Sequence, residues 1–72
     1  MVSFHERLKE VRKLGDVTQK QVADGAQISE NQYQSYEYGK HKPSIDTVIK
    51  LCLYLNVSAD YLLGLSDEPL RR

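Results

Sequence analysis

The stretch TQKQVADGAQISENQYQSYEYGK, residues 18 to 40, holds two helix-start signatures eleven residues apart. Thr18 with Gln21 reads T-x-x-Q and Ser29 with Gln32 reads S-x-x-Q. In each, the hydroxyl can accept from the amide three residues on while the glutamine side chain reaches back. Val17 with Val22, and Ile28 with Tyr33, can close a hydrophobic staple around each cap. The spacing predicts a short second helix ending near Ala26 and a third helix over about 30 to 38, joined by a turn of about three residues. Such a pair is a helix-turn-helix unit, whose second helix can enter a DNA major groove if its outer face is suitable.

Working outward, Phe4, Leu8, Val11 and Leu14 recur at helical spacing, and Ser3 with Glu6 offers an S-x-x-E box. Helix one is expected from about Ser3 to Leu14, broken by Gly15 and Asp16. Downstream, Gly39 is a natural stop and Pro43 bars immediate continuation. Ser44 can cap a fourth helix running to about Leu55, which Asn56 ends. Ser58 can cap a fifth through Leu63, with Gly64 as its stop. Five short helices with no alternating strand pattern predict an all-α compact bundle.

Seventy-two residues suffice for one domain with a modest core and exclude a deep substrate cavity. The 40% hydrophobic and 28% charged content is that of an ordinary globular chain. Cys52 is the single cysteine, so no internal disulfide can form, and the chain fits a reducing compartment, with the cytoplasm as the expected location. The longest apolar run is Leu51 to Leu55, and the charged N-terminus does not resemble a signal peptide. An enzyme is not expected. His5 and His41 stand far apart, no paired carboxylates or phosphate-cradling glycine loop is present, and no metal-ligand spacing or cofactor motif appears.

Net charge is zero, which opposes a nucleic-acid reading, because phosphate neutralisation supplies most non-specific affinity. The distribution is uneven, however: residues 1–20 carry +2, 21–39 carry −3, 40–50 carry +2 and 51–72 carry −1. At about 100° per residue, Tyr33 and Tyr36 should face the core and leave Glu30, Asn31, Gln34 and Ser35 outward. Asn and Gln amides can pair with adenine, Ser can donate or accept, and Glu can accept from cytosine. Lys40, His41 and Lys42 follow at once and can meet phosphates, while Thr18 and Gln19 approach the backbone from helix two. Each feature also has a purely structural reading as a cap, a solvated loop or a core tyrosine. Their joint order is what points to DNA.

That order comprises R-L-x-x-x-R (Arg7 to Arg12), T-Q-x-x-h-A (Thr18 to Ala23), I-S (Ile28, Ser29), Y-E-x-G-K (Tyr36 to Lys40), P-S-I (Pro43 to Ile45) and D-Y-L-L-G (Asp60 to Gly64). It resembles the Xre/Cro-type helix-turn-helix family of bacterial and phage transcriptional regulators over about residues 4 to 65. The resemblance implies a five-helix phage-repressor-like domain over residues 1–65, with 66–72 as a short tail at a dimer interface. It also implies operator DNA as ligand, a symmetric dimer and control of transcription, with repression expected. Residue by residue, it makes Gln19 the group that holds a phosphate and braces the third helix. Glu30, Asn31 and Ser35 become base readers with Gln34 close by, Lys40 and Lys42 phosphate contacts, and Arg12 with Glu37 a partly buried ion pair. Because the chain ends about seven residues after the last motif, a stand-alone Cro-like regulator is the expectation.

The chain departs from the family pattern in the turn, where Gln27 stands in place of the usual glycine, and near Asp16, where its glycine comes one residue early. If the turn keeps a left-handed residue, Gln27 bears strain of order 1 kcal/mol, with Gly25 loosening the end of helix two. In helix four, Ile45, Val48, Leu51, Cys52 and Leu55 make one face, and Ile49 and Leu53 widen the arc beyond one core's need. With Leu65 and Leu70 they are candidates for a two-fold interface, unless Leu65 and Leu70 fold back over the patch. The alternative function is a protein-interaction module, such as an antitoxin or anti-repressor, that keeps the fold without specific DNA binding. Zero net charge and Glu30 are its support.

Overall fold

A computed structural model describes residues 2–68. The stop and start signals divide this chain into α1 (Phe4–Leu14), α2 (Gln19–Gly25), α3 (Glu30–Glu37), α4 (Ile45–Leu55) and α5 (Ala59–Leu62). No strand occurs among the described residues, and no helix among them is long and apolar enough to cross a membrane.

The caps act largely as their residue types dictate. Thr18 and Gln21 form the full reciprocal box, and Ser29, Ser44 and Ser58 each accept from the amide three residues on. Two expected boxes are incomplete. Ser3 makes no cap hydrogen bond to the backbone, and its hydroxyl donates to the Glu6 carboxylate at 2.7 Å. The Ser29 box is half made, since the Gln32 amide turns forward to the Tyr36 hydroxyl at 2.8 Å. At the far end of α3, Gly39 (φ +76°) closes a Schellman turn in which the Lys40 amide bonds the Ser35 carbonyl at 2.9 Å.

Every helix contributes to one core. Leu8 and Val11 come from α1, Val22 and Ala23 from α2, Tyr33 and Tyr36 from α3, Leu51 and Cys52 from α4, and Leu62 from α5. Ala26 and Val57 complete it from the turns between helices. Burying each of the larger of these side chains contributes about 1.5–3 kcal/mol, and those from α2 and α3 fix the angle of the helix-turn-helix pair against α1 and α4. Leu14 does not join them and is 77% exposed. Two successive three-residue steps each fall about 60° short of a full turn, so Leu14 has rotated off the face that Leu8 sets. Arg7 is buried instead, on the arc shared with Phe4, Leu8 and Val11. Its guanidinium lies 4.0 Å from the Tyr61 ring centroid and donates to the Tyr61 and Ser66 carbonyls at 3.0 and 3.2 Å. That clamp ties the chain after α5 to α1.

The turns depart from the glycine-based reading. Gln27 is left-handed at φ +62°, and so is Asp16 at +56°, whereas Gly15 is right-handed at φ −80°. Gly25 serves close approach rather than flexibility: a Cβ there would lie 2.1 Å from Cδ1 of the Tyr54 ring.

Candidate nucleic-acid interface

The outer face of α3 is set by what holds its inner face. Arg12 of α1 meets Glu37 at the end of α3 with two prongs, Nε to Oε2 at 2.5 Å and Nη2 to Oε1 at 3.3 Å. The Glu37 side chain is fully buried and that of Arg12 is 14% exposed. Arg12 also donates to the Val17 carbonyl at 3.1 Å, which fastens the loop ahead of α2. Burial alone would raise the Glu37 pKa, but the hydrogen bonds from Arg12 and Gln19, with the Tyr33 hydroxyl nearby, outweigh it and hold the carboxyl below its ordinary range. Burial first, and then the Glu37 carboxylate, push the Tyr33 hydroxyl upward, so Tyr33 stays neutral beside the pair.

Gln19 extends this network to the surface. Its Nε2 donates to Glu37 Oε1 at 3.1 Å, and its Oε1 accepts from Gln34 Nε2 at 3.1 Å. Four side chains from three helices thus form one connected set. The sequence alone gives no sign of the link from Gln19 to Gln34, because the two stand fifteen residues apart and meet only through the angle between α2 and α3.

Around this brace, Glu30 and Asn31 are exposed on the first turn of α3, while Gln34 and Ser35 are half-buried one turn on. The Ser35 hydroxyl donates to the Gln32 carbonyl at 2.6 Å, leaving its oxygen lone pairs as the available group. Lys40, His41 and Lys42 are exposed immediately after the Schellman turn. Thr18 is exposed but its hydroxyl is engaged in the cap, whereas Gln19 is half-buried. A shallow polar groove lined by Arg12, Asp16, Thr18, Gln19, Lys20 and Glu30 runs between the start of α2 and the start of α3. Lys20, which the motif reading passes over, brings a cation to this groove and lies 3.4 Å from Asp24. The side chains given base-reading roles therefore share one face, with lysines at one end and the α2 start beside it.

The apolar candidates are exposed as well. Ile49, Leu53 and Leu65 are 51%, 60% and 65% exposed, so Leu65 does not fold back to cover the patch. Leu70 lies outside the described residues. Ile45, placed by its spacing on the core face of α4, is exposed as well, at the start of the helix beyond the buried Leu51 and Cys52. Among the described residues, no group of three or more His, Cys, Asp and Glu side chains could hold a metal ion.

Comparison with known proteins agrees with this geometry. The family model described as "Helix-turn-helix" matches residues 8–62. The uncharacterised HTH-type transcriptional regulator YobD of Bacillus subtilis is 38% identical over 66 residues, covering 92% of this chain and 59% of that protein. The HTH-type transcriptional regulator ImmR of the same organism is 43% identical over 67 residues, covering 93% of this chain and 52% of its own length. The chain thus spans a little over half the length of these relatives. Among solved structures, the P22 c2 repressor in complex with a synthetic operator superposes with a TM-score of 0.85 over 92% of this chain and all of that one, at 23% identity. That likeness establishes the fold.

Proposed function

Because this chain belongs to the Xre/Cro-like helix-turn-helix family, we propose that it is a sequence-specific, double-stranded DNA-binding regulator of transcription, acting as a repressor on an inverted repeat. The observation that carries the reading is the face of α3. Glu30, Asn31, Gln34 and Ser35 present donors and acceptors suited to base edges, on a helix whose inner side is pinned by Arg12, Glu37 and Gln19. Lys40 and Lys42 at the end of α3, with Thr18 and Gln19 at the start of α2, flank that face where phosphates border a major groove. Sequence choice comes from the centre and affinity from the edges. ImmR is itself named a transcriptional regulator, and the P22 repressor is seen on an operator; both support the assignment.

Zero net charge and the exposed Glu30 favour a second reading, an interaction module that keeps the fold and binds a protein partner. Selection of bound duplexes from a random pool at about 100 mM salt separates the two. An enriched inverted repeat with half-site centres about 10 bp apart, relaxed at one position by Asn31→Ala, supports the regulator. Absence of any enriched sequence moves the function to the interaction module.

A further inference from the structure

The hydrogen bonds behind α3 have a direction, and that direction reaches the groove. Glu37 is an ion-paired carboxylate with a fully buried side chain, so it can only accept. Gln19 must therefore turn its Nε2 toward Glu37, at 3.1 Å, which leaves its Oε1 to face Gln34. Gln34 answers with its own Nε2 at 3.1 Å, so its Oε1 occupies the other arm of the amide, away from Gln19. No protein donor reaches that oxygen among the described residues. An unrestrained glutamine amide turns over freely and can offer either order of donor and acceptor. Turning Gln34 over would set its carbonyl oxygen against that of Gln19.

Resting on the DNA reading above, we infer that Gln34 is a specificity-determining residue set to read adenine, and that Glu37, acting through Gln19, is the positioning residue that holds its amide in that sense. The edge left free pairs an acceptor, Oε1, with the second N–H of Nε2. Adenine offers the complement, an N6 amine donor beside the N7 acceptor. Guanine offers two acceptors, O6 and N7, one of which would meet Gln34 Oε1. The held amide therefore selects adenine over guanine, where a free one would tolerate both.

The test is the same duplex selection, run with the wild-type chain, Gln34→Leu and Gln19→Met, with thermal melting of each protein alongside. The expected wild-type motif contains one column in which adenine exceeds guanine by about tenfold. Gln34→Leu should flatten that column alone, and Gln19→Met should broaden it to within about threefold while the columns read by Glu30 and Asn31 stay sharp. Loss of fold would blur every column together, so a single broadened column is not a structural side effect. A column that Gln34→Leu erases and Gln19→Met leaves sharp overturns the relay. A motif that neither substitution alters, or whose Gln34 column favours guanine, overturns the inference and leaves the DNA reading intact. No motif at all overturns both.

Discussion

Arg12 and Glu37 join α1 to α3 through a two-pronged ion pair whose carboxylate side chain is entirely buried, with Nε 2.5 Å from Oε2. Removing the arginine leaves that carboxylate without its counter-charge, and breaking one side of a buried pair costs about 3–5 kcal/mol. For a domain of this size each kcal/mol moves the melting temperature by about 4–8 °C. Arg12→Ala should therefore lower Tm by more than about 12 °C, as followed by circular dichroism. An unchanged Tm would mean that the pair contributes nothing to the fold.

The same pair sets a pH dependence. The Glu37 pKa is lowered in the folded chain from its ordinary value of 4.5, so the folded state holds the ionised form more tightly than the unfolded chain does. The resulting stabilisation is fully present above 4.5 and is lost as pH falls through the depressed folded value. Other carboxylates titrate in the same window, so the informative quantity is the Tm difference between wild type and Glu37→Gln. That difference should be largest near neutrality and shrink progressively below pH 4.5; a difference constant with pH would show that Glu37 gains nothing from being ionised.

Gly25 and Tyr54 are matched by contact. A Cβ at Gly25 would meet Cδ1, Cε1 and Cγ of the Tyr54 ring at 2.1, 2.3 and 2.8 Å, too close to the ring's attachment for a small rotation to clear it. Gly25→Ala gains about 1 kcal/mol of helix propensity and meets an overpacking cost of about 1–3 kcal/mol, so the net change is destabilising. Combined with Tyr54→Ala, the same substitution should become stabilising relative to Tyr54→Ala alone. Denaturant melts of the four proteins give the coupling; additive effects would mean that the ring yields freely.

Much of this was legible in the sequence, and the parts that were not share a cause. Five hydroxyl residues, Ser3, Thr18, Ser29, Ser44 and Ser58, mark the helix starts because capping is local, and the outward set Glu30, Asn31, Gln34 and Ser35 follows from helical period once Tyr33 and Tyr36 are placed inside. The burial of Arg7 had a signal, its place between Phe4 and Val11 on the apolar arc, but charge argued against it. The role of Gly25 had none, since it depends on a ring 29 positions away that packs only after α2 and α4 meet. Ser3 and Gln32 depart from their boxes in bonding other side chains, the Glu6 carboxylate and the Tyr36 hydroxyl, where the cap backbone was expected. Local chemistry is readable; long-range approach is decided by packing.

Gln27 holds a left-handed conformation at φ +62° in the turn that sets the angle between α2 and α3. A side chain with a Cβ is strained there by about 1 kcal/mol, and glycine relieves the strain at some expense in unfolded-state entropy. Gln27→Gly should raise stability by about 0.5 kcal/mol, and Gln27→Val, branched at Cβ, should lower it by more than about 1 kcal/mol. Opposite signs in chemical denaturation identify backbone strain as the cause; equal losses would indicate that the glutamine side chain itself is needed.

Ile49 and Leu53 of α4, with Leu65 after α5, are exposed apolar side chains, and their exposure makes them available to a second copy of the chain. In a two-fold interface each residue is used twice, so one charge placed at its centre appears as two facing charges. Leu53→Glu should convert a dimer into a monomer in sedimentation at high micromolar concentration while leaving the helical spectrum unchanged, because Leu53 lies outside the core. Dimerisation would set two copies of α3 about 34 Å apart, one turn of DNA, so the variant should also lose the preference for paired half-sites and retain weak binding to single ones. A wild-type chain that sediments only as a monomer would remove the basis for a palindromic operator read by a preformed dimer.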